Sequence, residues 1–422
     1  MDHAHVASAP VVEAERTVRN IETDEEIAAY LRGMMTSFLA KREVTDEWIE
    51  WVRPRWDLSR VWAAFDGDKQ CGTTRTFPST VRLPGLSAVP VSCLTQVTVL
   101  PTHTRRGHLS RLMRTQFEAA IDAGEVASLL IAAEWPIYGR FGYGPSSEWV
   151  QWDVDVDQAQ VVGEPVGNSE IVEPPELDAA AAEVLARQQE RTPGCIERPE
   201  SLRRRASGVD PSPYDEPEKT RVWIVHRDGT GAPDGYAVYD VKEHWDGMRP
   251  ASTVKVEDMA FVDEIAEREL WRYLLDIDLV TKVSWGGSPT SVIRHVLANG
   301  RGAIQAGRWD HIWARILDVS ACLTARSYAS PGRVVVEVVD PFLGRGGRYA
   351  LDVSTEGASC EATAESAEVT LPIAALGAAW VGGTDLRTVA AAGTLDEHTP
   401  GSLDRLASIL RWHQTPWCAT DF

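Results

Sequence analysis

The sequence predicts a mixed α/β (α+β) chain with more than one domain. Three observations carry that reading. The chain has 422 residues, a length that domain-size limits divide into about two to four domains. Helical periodicities alternate along it with short runs rich in Val and Thr. The order helix, strands, strand, helix appears in the first segment and returns in the second, which suggests an internal duplication although no sequence repeat is visible.

A helix is expected over residues 24–39, because Thr23 and Glu26 have capping-box spacing and Ile27, Tyr30, Leu31, Met34, Met35 and Phe38 recur at helical intervals. Strands are expected over 61–65 and 72–77, with Asp66-Gly67-Asp68 as the hairpin turn. Residues 89–100, rich in Val and Thr, read as a buried strand that runs into Pro101-Thr102-His103-Thr104-Arg105-Arg106-Gly107-His108. A helix then carries Leu109, Leu112, Met113, Phe117 and Ile121 on one face and stops at Gly124. Residues 128–133 form another apolar strand, which leads into Ile137-Tyr138-Gly139-Arg140-Phe141-Gly142-Tyr143-Gly144.

A polar stretch bearing Pro and Gly, 155–175, marks a boundary. Beyond it the pattern predicts a helix over 177–191, strands over 221–225, 235–240 and 254–261, and a helix over 263–275. A third segment begins near His311-Ile312-Trp313. Residues 333–339 and 348–353 alternate as antiparallel strands, 359–371 continue that sheet, and 373–380 and 402–411 are helical. The chain ends in Trp412, Trp417 and Phe422, apolar area expected to dock although chain ends usually fray.

Composition narrows the function classes. With 44% hydrophobic and 25% charged residues the chain is neither disordered nor collagen-like. No run approaches the length of apolar residues needed to span a bilayer, and residues 1–17 lack a basic stretch followed by an apolar one. A cytoplasmic protein with no membrane partner is therefore expected. The net charge of −20 makes nucleic acid a poor partner. An acidic surface attracts polycations, and it also simply keeps a protein soluble. The six cysteines form no C-x-x-C pair and the histidines no H-E-x-x-H, so free thiols and no metal are expected.

The bend at Arg105-Arg106-Gly107-His108-Leu109-Ser110 lies between a strand and a helix. A helix start exposes backbone N–H groups and the positive end of the macrodipole. Gly107 lets a ligand approach without a Cβ in the way, and the arginines add fixed charge, so the bend suits a pyrophosphate. The plainer reading is an exposed basic turn. No G-K-[ST] follows, so nucleotide hydrolysis is not implied.

Val97-Thr98-Val99 followed by Arg105-Arg106-Gly107 resembles the acetyl-CoA motif of the GNAT superfamily of N-acetyltransferases. With Ile137-Tyr138-Gly139-Arg140-Phe141-Gly142-Tyr143-Gly144 downstream, the chain resembles the enhanced intracellular survival (Eis) family. The resemblance implies two tandem GNAT-like domains plus a C-terminal sterol-carrier-like α/β domain: a catalytic domain over 1–160, a degenerate one over 161–310, and 311–422 delivering the C-terminal carboxylate. It implies acetyl-CoA as co-substrate, held by Val97, Thr98, Val99, Arg105, Arg106, Gly107, His108, Leu109, Ser110, Ala133 and Glu134. It makes Tyr138 the general acid and the carboxylate of Phe422 the general base, with Phe38, Trp48 and Asp421 touching the acceptor. A homohexamer is implied as well.

Each role has a structural alternative: sheet core for Val97 and Val99, packing of the Gly-rich turn for Tyr138, a tail packed for stability alone for Phe422. A free α-carboxyl, with a pKa of roughly 3.3–3.7, is also far too acidic to strip an ammonium outright, so burial or a bridging water would have to help it. The acceptor implied is an amine, of aminoglycoside type at one or more amino groups; a protein lysine or a polyamine is the alternative. A different class, a non-catalytic lipid- or ligand-binding protein, stays open. The second segment has Val262-Asp263-Glu264 where a working domain would place its Arg-Arg-Gly turn, and two carboxylates there would repel a pyrophosphate.

Overall fold

The computed structural model describes residues 15–215 and 220–422. The stretch read for a signal segment therefore lies, up to residue 14, outside the described residues. The described residues pack as two compact units, one within 15–76 and 96–116 and the other within 77–95, 117–215 and 220–422.

In the first unit Arg16–Asn20 runs antiparallel to Val61–Asp66, which turns at Gly67 into the long strand Lys69–Arg82. Helix Asp24–Ser37 starts where its capping box predicts: the Thr23 side chain accepts from the Glu26 N–H and the Glu26 carboxylate accepts from the Thr23 N–H. Such a cap is worth about 1 kcal/mol. Ile27, Tyr30, Leu31, Met34 and Met35 form its buried face, whereas Phe38 falls just past its end and is 48% exposed. A short helix, Asp46–Val52, buries Trp48 and Val52. Strand Ala88–Val99 and helix His108–Asp122 match the predicted elements to within a residue or two.

The second unit holds three groups of strands. Residues 91–93 pair in parallel with Ala127–Ile131, and Ile312–Ile316 lies antiparallel to that strand on one side and to Gly144–Pro145 on the other. Helix Ile373–Ala379 comes so close at Gly144 that a Cβ there would sit 2.0 Å from the Ala374 carbonyl oxygen. The Gly-rich run thus serves backbone-to-backbone packing.

A seven-stranded sheet comes next, in the order Ala303–Asp310, Glu148–Asp155, Val280–Gly287, Ser252–Phe261, Pro233–Lys242, Arg221–Arg227, Asn168–Ile171. Only Ser252–Phe261 and Val280–Gly287 pair in parallel, over Ser252 to Val256. Helices Pro174–Gln189 and Glu264–Leu275 cover this sheet, the second with Leu270, Trp271, Leu274 and Leu275 buried.

The last sheet is five-stranded. Gly332–Val339 and Gly347–Val353 are antiparallel as expected. The stretch 359–371, read as one continuation, is two strands: Ala358–Ala362 pairs antiparallel with Gly347–Val353, and Val369–Pro372 pairs in parallel with Gly332–Val339. Polar residues at Glu365, Ser366 and Glu368 fill the crossover between them. Among the described residues no helix is long and apolar enough to cross a membrane, and all six cysteines are buried free thiols.

Candidate active site

The cofactor-binding residues expected from the sequence fall in both units. In the first unit the strand kinks just before Val97. Gln96 adopts φ +57, a left-handed conformation that costs an ordinary residue about 1–2 kcal/mol. Three hydrogen bonds hold it: its side-chain oxygen accepts from the Tyr30 hydroxyl at 3.2 Å and Arg75 Nε at 3.3 Å, and its carbonyl from Thr73 Oγ1 at 2.7 Å. Past the kink, Thr98 turns inward to meet Thr73 Oγ1 at 2.6 Å, while Val97 and Val99 stay half-buried on the other face. Neither valine is sheet core.

The bend beyond Val99 is built from the backbone. Arg105 has φ +62 and Gly107 φ +84, with Arg106 between them. Positive φ at two positions of a tight bend is the kind of backbone from which anion-binding concavities are made. Helix His108–Asp122 starts directly behind it, adding N–H groups that have no acceptor inside the helix. Arg105, Arg106, Gly107 and Ser110 are exposed and Leu109 is half-buried. Arg106 donates to Asp66 at 3.0 Å, whereas Arg105 makes no ion pair among the described residues.

His108 is buried, its ring 3.6 Å from the Cys71 sulfur, so its side chain is packing and only its backbone belongs to the bend. Burial holds its imidazole below the usual value, and it does the same to His103 with help from Lys69 and Arg106. Both rings are therefore neutral near pH 7. Of the acceptor candidates in this unit, Phe38 is half exposed but Trp48 is buried at 5%, so the Trp48 ring is part of the interior.

In the second unit Ala133 and Glu134 are exposed at the start of a one-turn helix, Trp135–Tyr138. Tyr138 is 6% exposed and edge-on to Tyr143, whose own hydroxyl is 2.7 Å from Ser128 Oγ. Among the described residues the Tyr138 hydroxyl makes no hydrogen bond. Burial first, and the Glu134 carboxylate second, push its pKa up to about 12.

The C-terminal tail is docked along its length. Trp417 stacks on Phe261 at 6.0 Å and meets Trp285 edge-on at 6.2 Å. Arg198 anchors the residues beyond Cys418: it donates to the Ala419 carbonyl at 2.5 Å and to Thr420 Oγ1 at 3.4 Å, and grips Asp258 through both terminal nitrogens at 2.6 and 3.1 Å. Phe422 is half-buried against Phe77, ring centroids 5.3 Å apart. Asp421 is exposed and bears on the buried imidazole of His311, which stacks on Trp149. Sequence reasoning passed over Arg198 and His311, because a lone Arg and a lone His carry no spacing signal.

The second domain's equivalent of the bend is closed by its own residues. Asp263 caps helix Glu264–Leu275, its carboxylate accepting from the N–H groups of Ile265 at 3.0 Å and Ala266 at 2.9 Å. Those are the donors a pyrophosphate would need. Among the described residues no cluster of His, Cys, Asp or Glu is arranged to hold a metal ion.

Comparison with known proteins agrees with this layout. Residues 17–146 and 194–316 each match the family described as acetyltransferase (GNAT) domain, and residues 319–419 match the sterol carrier protein domain. An uncharacterized N-acetyltransferase of Streptomyces avermitilis is 34% identical over 410 residues, 94% of this chain and 97% of that protein. The N-acetyltransferase Eis of Mycobacterium tuberculosis is 31% identical over 334 residues, 77% of this chain and 79% of its own length. The crystal structure of Eis1 from Mycobacterium abscessus superposes with a TM-score of 0.82 at 26% identity, covering 97% of this chain and all of that one. With two GNAT domains followed by a sterol-carrier domain, and relatives of that identity over most of its length, the chain belongs to the Eis family of GNAT N-acetyltransferases.

Proposed function

We propose that this N-acetyltransferase moves the acetyl group of acetyl-CoA to an amine of a polycationic, aminoglycoside-type acceptor, at one or more amino groups. The observation that carries the reading is the exposed bend in which Arg105 and Gly107 both take positive φ immediately before a helix start. Its N–H groups, with those of His108, Leu109 and Ser110, would hold the diphosphate, and Arg105 is available to neutralise it. The backbone of Val97, Thr98 and Val99 would carry the pantetheine arm, with Ala133 and Glu134 as further contacts. No metal takes part in this scheme.

The acceptor must reach the thioester as a free amine. Its nitrogen attacks the carbonyl carbon, the tetrahedral adduct collapses, and the C–S bond breaks to release thiolate. Tyr138 is the acid in this reading. A hydroxyl whose pKa is pushed up to about 12 keeps its proton at neutral and mildly alkaline pH, and with no competing partner it can turn toward a developing sulfur charge. The α-carboxylate of Phe422 takes the amine proton directly or through a water, and the docking of Trp417, Ala419 and the Phe422 ring supports that role. Asp421, Phe38 and Trp48 are the proposed acceptor contacts. Exposure supports the first two, and burial leaves Trp48 a supporting role behind the surface.

In the same reading the domains divide as 1–160, 161–310 and 311–422, and the enzyme works in the cytoplasm as a homohexamer. The test is incubation with acetyl-CoA and a panel of a kanamycin-like sugar, spermidine and a basic peptide, with mass spectrometry of every amine afterwards. Acetylation of the sugar is expected. Acetyl on the peptide or spermidine alone would replace the acceptor, and no transfer to any amine would sink the reading.

A further inference from the structure

The second unit holds a cavity of about 390 Å³ that the proposed reaction does not use. One wall is the end of helix Pro174–Gln189 with Arg191 beyond it. A second is residues 261–264, where the strand Ser252–Phe261 passes into the cap of helix Glu264–Leu275, and a third is the tail at 413–415 and Trp417. Two lining side chains lack part of their hydrogen bonding. Gln188 is 3% exposed, and its Nε2 donates to the Phe261 carbonyl at 3.2 Å, which fixes the end of the amide that is oxygen. That Oε1 has no donor among the described residues. Trp417 is 5% exposed with its ring stacked on Phe261, and its Nε1–H has no acceptor among the described residues. Unmatched buried polar atoms are destabilising and uncommon. Two in the lining of one cavity call for an occupant that brings a donor to the first and an acceptor to the second.

The charge of the lining fixes the sign of that occupant. Asp263, Glu264 and Glu267 face the guanidinium of Arg191 and the imidazole of His413. The guanidinium is already engaged, donating to the Val262 carbonyl and standing 3.8 Å from Glu264. Even where buried Glu267 is protonated, two carboxylates remain against one guanidinium. An anion such as a nucleotide is therefore disfavoured, the more so because Asp263 occupies the N–H groups at the helix start.

We propose that this cavity is a second, non-catalytic binding site and that it takes one ring of an amino sugar. The ammonium supplies donors for the carboxylates and for Gln188 Oε1, a ring hydroxyl accepts from Trp417 Nε1, and the C–H face of the ring suits the aromatic wall of Phe261 and Trp417. A linear polyamine brings donors only and leaves the indole N–H unmatched. A neutral polyol brings no charge. The volume lies near the lower end of small-molecule sites, about 300–1,000 Å³, which is room for a single ring. With the second GNAT domain on one side and the tail on the other, an occupied cavity ties the two together. The site stands apart from the transfer reading: binding there needs neither acetyl-CoA nor the Phe422 carboxylate.

Hydrogen exchange of the full-length enzyme is followed by mass spectrometry with glucosamine, spermidine or inositol, without acetyl-CoA, at concentrations matched to the saturation point that calorimetry gives for glucosamine. Expected is slower exchange over 261–267 and 413–417 with glucosamine, and little change there with the other two. Gln188→Met removes the unmatched acceptor at equal length, and Thr290→Trp, at an exposed lining residue, narrows the cavity with little risk to the fold. Each should weaken glucosamine binding about tenfold or more and leave acetyl-CoA affinity unchanged. Protection confined to other segments, or glucosamine bound as well by both variants as by the wild type, overturns the proposal. Equal protection by inositol overturns the charge argument, and protection by spermidine alone overturns the choice of ligand. Acetyl transfer is a separate readout, so its failure leaves the exchange result standing.

Discussion

Replacing Gly107 by Ala isolates the proposed diphosphate site. At φ +84 an alanine pays the left-handed cost of about 1–2 kcal/mol. Space is a minor matter there, since the added Cβ would meet only the mobile end of Arg111, with Nη1 at 3.1 Å. Residues 104–107 are exposed, so the bend can relieve the strain by turning out of its conformation, and the amides then no longer converge. Binding must restore them, so the strain appears in the affinity: acetyl-CoA should bind about 5–30-fold more weakly by calorimetry, with little change in Tm. Gly124→Ala is the control. It too has positive φ, +75, and nothing within 4 Å, but it stands at the opposite end of the same helix, so it should lower Tm slightly and leave affinity unchanged. Wild-type affinity in Gly107→Ala would refute the bend as the diphosphate site.

Three further outcomes are expected. Tyr138→Phe should lower kcat by about 10²-fold or more and change KM much less; equal rates would reject the acid role. Deleting Phe422, or extending the chain beyond it, should abolish transfer while calorimetry still reports acetyl-CoA binding, and an active extended enzyme would remove the carboxylate from the mechanism. Glu267, buried beneath Ser291 and Trp271, has its carboxyl raised from 4.5 to about 7 by desolvation. The folded state therefore holds this proton more tightly than the unfolded chain. Its contribution is fully present below pH 4.5 and is lost as pH rises through 7, roughly 3 kcal/mol in all. Thermal melts should show Glu267→Gln gaining on the wild type between pH 5 and pH 8, and a constant difference in Tm across that range would contradict the shift.

The elements with a local signature were legible in the sequence. Thr23 and Glu26 announce their helix because both halves of a capping box sit within four residues, and Asp66-Gly67-Asp68 announces its hairpin because the turn needs Gly67 at positive φ. The strand Glu148–Asp155 went unread although Val150, Trp152 and Val154 alternate inward with the right period; the polar residues around it read as a boundary. The long pairings had no local signal at all. Nothing near Ile312 says that it will lie beside Ile131, about 180 residues earlier, and nothing near Gln96 says that its backbone will be left-handed. The site divides the same way. Gly107 and Tyr138 stand in recognisable runs, whereas Arg198 acts on Ala419 and Thr420 across more than 200 residues of chain.

The same long-range contacts seat the C-terminal tail on the second GNAT domain. In Ser252–Phe261 and Val280–Gly287 the parallel pairing stops at Val256 opposite Trp285, and the rings of Phe261, Trp285 and Trp417 meet there in one cluster, each about 6 Å from the other two. Asp263 meanwhile satisfies the N–H groups at the adjoining helix start from within the chain. Arg198, gripping Asp258 on the strand Ser252–Phe261 and donating to the Ala419 carbonyl, ties the last residues to that sheet. A variant that restores free amides at residues 265 and 266, such as Asp263→Ala, should loosen the helix start by about 1 kcal/mol without gaining affinity for acetyl-CoA, because Trp417 stays packed on Phe261 and Trp285.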